Sequence, residues 1–151
     1  MFFFFNRAYN AINIADFVVN FCNDIQRPIS NLKLQKILYY IQGNALKCTG
    51  EPIIDDDFYA WQHGPVIPSV YRKFSKYAAS SIKRQNNESI EKIDGASEDL
   101  IKATILDYID YGAWELVYKT HEEDPWKYIV QVYGYNSIIP LDSLKNYFCE
   151  Q

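Results

Sequence analysis

The segment 30–52 constrains the fold more than any other. Ser30 stands where a side-chain oxygen can cap free backbone N–H groups, and Ile29 and Leu34 occupy the hydrophobic-staple positions of a helix start. Leu34, Ile37, Leu38, Ile41, Ala45 and Leu46 then recur at helical spacing, so the segment is expected to bury one stripe. Gly50, with Pro52 just beyond, ends it. A long helix with firm ends therefore has to be covered by the rest of the chain.

The 151 residues suffice for one compact domain, since a chain of that length buries roughly 70% of its unfolded surface. Residues 8–23 are apolar on almost every side and read as a central buried helix closed by Pro28. Residues 53–66 suggest an extended connection or short strand, closed by a Gly64-Pro65 turn. Pro68 suits the first turn of a helix carrying Val70, Tyr71, Phe74 and Tyr77. The polar stretch 80–95 reads as a flexible loop, with a short strand around 81–85 as the alternative. Further helices are expected from Ser97, from beyond Gly112 with Trp114, Val117, Tyr118 and His121 on one face, from Pro125, and from about Pro140 with Leu141, Leu144, Tyr147 and Phe148 inward. The fold class is mainly α: a single-domain bundle of about six helices with a small irregular or β segment. Residues 1–7 form an apolar N-terminal extension to a domain at 8–148.

Charge and cysteine usage narrow the function. A net charge of -4 argues against nucleic-acid coating, which needs an excess of Lys and Arg. The local basic set Arg72, Lys73, Lys76, Lys83 and Arg84 is explained by a solvated face. Cys22, Cys48 and Cys149 are odd in number and widely spaced, as in a reduced, cytoplasmic protein. No run approaches the ~20 apolar residues of a membrane span.

The stretch THEEDPW at 120–126 puts His121 beside Glu122, Glu123 and Asp124. A zinc site of the H-E-x-x-H type needs a second histidine four residues on, where Pro125 stands. His63 and Asp55, Asp56 and Asp57 are at no spacing that demands a metal, and no nucleophile elbow or phosphate loop is present. No catalytic residue, metal or cofactor is assigned. The same residues make a joint between helices, in which Asp124 caps a helix beginning at Pro125 and Trp126 wedges it against the preceding one. The corner WQHGPV at 61–66 similarly aims the helix of Tyr71 and offers aromatic anchors on fixed backbone.

Three blocks, ISNLKLQKILYYIQG at 29–43, FYAWQHGPVIPSVY at 58–71 and THEEDPWK at 120–127, resemble the Panacea domain family, also described as SocA-like antitoxins or phage-associated proteins. Leu32, Lys33, Leu34, Gln35 and Lys36, the Trp61 and Gly64-Pro65-Val66 corner, Tyr71, and the run from His121 to Trp126 carry the likeness. His63 falls where the family often carries Tyr or another residue, so the resemblance gives it no role as a ligand or base. It implies a helical antitoxin that binds a protein toxin encoded by an adjacent gene, with no established enzyme activity. On that expectation Lys33, Lys36, Trp61, His63 and Tyr71 meet the partner. Ser30, Leu34, Gly64, Pro65, Val66, His121, Asp124, Pro125 and Trp126 hold the frame. The competing expectations are a metal-assisted hydrolase centred on His121, and a DNA-binding regulator or proteolytic adaptor.

Overall fold

A computed structural model describes residues 8–86 and 91–151. The expected extension 1–7 and part of the expected loop, 87–90, lie outside the described residues. The elements run α1 (Ala11–Asp24), α2 (Asn31–Thr49), β1 (Phe58–Trp61), β2 (Gly64–Val66), α3 (Pro68–Phe74), α4 (Gly95–Tyr108), α5 (Ala113–His121), α6 (Asp124–Tyr133), β3 (Ser137–Ile139) and α7 (Leu141–Cys149). The three strands form one antiparallel sheet in the order β2-β1-β3. The mainly α class expected from the sequence is the one observed.

The buried axis is α2, not α1. α2 packs against α1, α3, α4, α5, α7 and β2. Every residue from Leu34 to Gly43 is buried, so the helix is covered all round instead of along one stripe. α1 instead leaves Ile12, Phe17 and Phe21 only half-buried. The expectation inverted the two because α2 carries polar residues that periodicity assigns to solvent. Asn31, Gln35, Lys36 and Gln42 are all buried there.

Local signals at the helix ends mostly hold. The Ser30 side chain accepts from the Lys33 N–H at 3.3 Å, and Gly50 closes α2 at φ 78° in the left-handed region that glycine adopts without strain. α3 begins at Pro68. The expected start at Ser97 is corrected: Asp94 is the cap of α4, its carboxylate accepting from the Ser97 N–H at 2.9 Å and from the Ser97 hydroxyl at 2.8 Å. The expected strand at 81–85 reduces to one bridge between Ser30 and Ser81. Leu141, expected inward, is exposed, whereas Leu144 and Phe148 are buried.

The Phe148 ring of α7 lies against the backbone of α2 at Gly43, where a Cβ would fall 2.4 Å from ring carbons. Alanine has the better helix propensity, yet it cannot fit without displacing this buried ring. Gly43→Ala should therefore lower the unfolding free energy by about 1–3 kcal/mol in denaturant titration.

Candidate functional site

The corner between β1 and β2 is held from below by side chains of α2 and from the side by Trp126. Trp61 pairs with Gly64, and Ala60 with Pro65, so the tight turn consists of Gln62 and His63. The expected Gly64-Pro65 turn is thus a strand instead. Proline is tolerated in an edge strand because its missing N–H is not needed there. Gly64 sits at φ 107°, and a Cβ on it would lie 2.7 Å from both Lys36 Cε and Thr120 Oγ1. Backbone and packing together demand glycine.

Side chains of α2 reach under this corner. Lys36 Nζ donates to the Pro65 carbonyl at 3.2 Å. Gln35 accepts from the Ile67 N–H at 3.0 Å and donates to Asn31 Oδ1 at 2.9 Å, while Asn31 donates to the Tyr71 carbonyl at 3.1 Å. Two turns further on, Gln42 accepts from the N–H groups of Ile53 and Ile54 at 3.0 and 2.9 Å and donates to the Ile54 carbonyl at 2.9 Å. Leu34 and Val66 are buried beside these bonds.

Lys36 was expected at the surface and is 0% exposed. No carboxylate faces its ammonium in an ion pair among the described residues. Burial pulls its pKa from 10.5 down to about 7. It holds the corner from below and cannot reach a partner from that position. Lys33 is half-buried, and its ammonium donates to the Ile109 carbonyl at 2.6 Å. Its pKa is lowered as well, first by burial and then by the neighbouring Arg27 charge.

The joint at Thr120 to Lys127 is wired differently from the sequence expectation. Glu123, not Asp124, occupies the cap position, and Asp124 is the first residue of α6 with Pro125 next. The Glu123 carboxylate makes no cap bond. It is buried, accepting from Tyr40 Oη at 3.0 and 3.2 Å and from Lys119 Nζ at 3.0 Å. Tyr40 outcompetes the helix end because its buried hydroxyl needs an acceptor.

His121 stacks on Trp126 with ring centroids 3.9 Å apart, and Trp126 Nε1 donates to the Trp61 carbonyl at 2.8 Å. Trp126 therefore wedges α5 and α6 as expected and also ties the joint to the corner. Burial lowers the His121 pKa from 6.5; hydrogen bonding to the Gln62 backbone opposes this, and the Lys36 and His63 charges reinforce it. Glu122 and Asp124 are exposed, Glu123 is turned inward, and among the described residues no three His, Cys, Asp or Glu groups converge on a common point. Asp56, another considered ligand, instead accepts from the Ala11 N–H at 2.8 Å to cap α1.

Above this frame lies a continuous aromatic surface. Tyr71, 40% exposed, meets Trp61 edge-on at 5.2 Å. Trp61 Nε1 donates to Asn136 Oδ1 at 3.1 Å. The His63 ring meets Trp114 edge-on at 4.9 Å, and Trp114 lies 6.5 Å from Tyr118. The single face expected for Trp114, Val117, Tyr118 and His121 divides: Trp114 and Tyr118 are 50% and 65% exposed, whereas Leu116, Val117 and Thr120 form the buried face of α5. Between α2, the corner and α3 runs a groove of about 380 Å³ lined by Leu32, Trp61, His63, Val66 and Tyr71. The basic set is dispersed: Lys73 pairs with buried Asp16 at 2.7 Å and Arg84 with Asp24 at 3.0 Å.

Comparison with known proteins gives a family and a relative. The family described as Antitoxin SocA-like, Panacea domain, matches residues 34–127, which contain the corner and the joint. Antitoxin SocA of Caulobacter vibrioides (strain NA1000 / CB15N) is 38% identical over 86 residues, covering 57% of this chain and 44% of the relative. The chain thus spans less than half the length of that curated relative. No solved structure matches it.

A lysine whose pKa is depressed on folding destabilises the fold fully below its folded pKa and progressively less as pH rises toward its unfolded value. From about 7 up to 9.0, where the buried Cys22 thiol starts to act in the opposite sense, stability should rise by roughly 1 kcal/mol per pH unit. Lys36→Met should flatten that rise in chemical denaturation. Parallel profiles for the two proteins would contradict an ammonium buried without a counter-charge.

Proposed function

This chain belongs to the Panacea domain family of SocA-like antitoxins, and on that premise we propose that it neutralises a protein toxin by direct contact. The observation that carries the reading is the corner itself, where Trp61, His63 and Tyr71 stand on backbone fixed by Gln35, Lys36 and Trp126. Aromatic side chains on pre-ordered backbone lose little entropy on binding and are the usual energetic centres of protein interfaces. The adjoining groove is lined mainly by apolar and aromatic side chains, and the polar groups of Asn31 and Gln35 at its edge are already engaged within the fold. A complementary protein side chain would fill it without stripping partners from those amides.

In this mechanism the antitoxin is a rigid cover instead of a catalyst. The divergence of Glu122, Glu123 and Asp124 favours this reading over a hydrolase at His121, since general-acid or metal-assisted chemistry needs groups that converge on one reacting atom. The partner is expected from an adjacent gene, and both proteins are expected in the cytoplasm. No helix among the described residues is long and apolar enough to cross a membrane.

Co-expression with the product of the neighbouring gene should yield a complex and restore growth, and Tyr71→Ala should weaken the complex about tenfold while the chain still unfolds cooperatively, as a melting curve would check. Absence of both complex and rescue with the unmodified chain would overturn the reading.

A further inference from the structure

The exposed side of α5 has a composition that the corner alone does not explain. Trp114, Glu115 and Tyr118 lie within about 100° of one another around α5, and Glu122, the C-cap residue in right-handed helical conformation, continues that face one turn beyond Tyr118. All four are exposed. Two large aromatic rings toward solvent, with a third ring on the corner touching the first, cost solubility and add nothing to the core.

The charge on this face has one sign. Glu115 and Glu122 are in none of the ion pairs formed among the described residues. The nearby cations are occupied elsewhere. Lys119 Nζ is held by the buried Glu123 at 3.0 Å and lies over the Tyr40 ring at 5.4 Å. Arg27 pairs with Asp110 at 2.9 Å. Lys33, which senses the Glu115 charge, keeps its ammonium on the Ile109 carbonyl. Glu115 Oε1 accepts from the Gly112 N–H at 2.9 Å, so the surface offers two aromatic faces, the Glu122 carboxylate and the second oxygen of Glu115 to an incoming group, with Lys119, Arg27 and Lys33 already engaged.

We propose that the α5 face, continuous with the corner through His63, is the docking site for an arginine-bearing basic segment of the partner protein. A guanidinium is the group that satisfies both features at once, stacking its plane on an indole or phenol ring while its N–H fork meets a carboxylate. Lysine offers a point charge and no plane, so it fits less well. Carboxylates beside the rings also repel nucleic acid and acidic proteins, which confers selectivity. This inference rests on the neutralising reading above and names the chemistry of the partner at that site.

The test uses the full chain and a labelled peptide of alternating arginine and leucine, followed by fluorescence anisotropy. Binding is expected, with affinity falling about tenfold for Trp114→Ala and likewise for Glu122→Gln. It should weaken as salt is raised, and weaken again when lysine replaces arginine in the peptide. Melting temperatures should stay unchanged, because both positions are exposed. Three results would overturn the proposal: equal affinity in both variants, equal binding of a glutamate–leucine peptide, or self-association abolished by Trp114→Ala, which would assign the face to a second copy of the chain. The growth assay separates this inference from the function it rests on. If the unmodified chain rescues growth and a variant combining Trp114→Ala with Glu122→Gln rescues equally well, neutralisation stands and the α5 face is wrong. If the unmodified chain does not rescue, neutralisation falls and the peptide measurements alone decide the face.

Discussion

Hydrogen bonds from the buried polar side chains of α2 to the backbone of other segments are the interaction on which the remaining structure depends. Apolar packing draws the helices together, but it is non-directional and tolerates small sliding. Amide and ammonium groups do not tolerate it. Gln42 fixes Ile53 and Ile54, Gln35 fixes Ile67, Lys36 fixes Pro65, and Asn31 fixes Tyr71. Each bond contributes only about 1 kcal/mol net, whereas a buried group left unpaired costs about 1–3 kcal/mol. The difference selects one register of the corner on the helix.

The position of Lys36 is the most costly of these choices. An ammonium taken out of water with one carbonyl as partner opposes folding, as its depressed pKa records. In return it meets an acceptor in the one strand residue that has no N–H, beneath a glycine whose missing Cβ leaves room for the lysine chain. Thr120 closes the same space from α5. The Trp126 bond to the Trp61 carbonyl then completes a loop from α2 through the corner to the α5–α6 joint. Three distant stretches of sequence thus behave as one rigid element that presents Trp61, His63 and Tyr71.

How much of this was legible in the sequence depended on how local the cause was. Ser30, Gly50 and Pro68 act on their own backbone within a turn or so, and the elements they bound could be read from sequence. Burial of Lys36, Gln35 and Gln42 could not be, because helical periodicity assigns polar side chains to water and is blind to a backbone partner outside the helix. The acceptor role of Glu123 was illegible for the same reason, since it answers Tyr40 across the fold. At Trp114 the error lay in the grouping, since Trp114 and Tyr118 face solvent while Val117, placed on the same face, is buried. The run THEEDPW carried its ordering information correctly, as a joint, while the identity of the capping residue was off by one.

Native-state amide hydrogen exchange tests the central role of α2 most directly. The N–H groups of Ile53, Ile54 and Ile67, whose acceptors are the side chains of Gln42 and Gln35, should exchange only with the opening of α2 itself and show its protection. Exchange of these three amides orders of magnitude faster than the amides of α2 would contradict the account, because the corner would then open without its supporting helix.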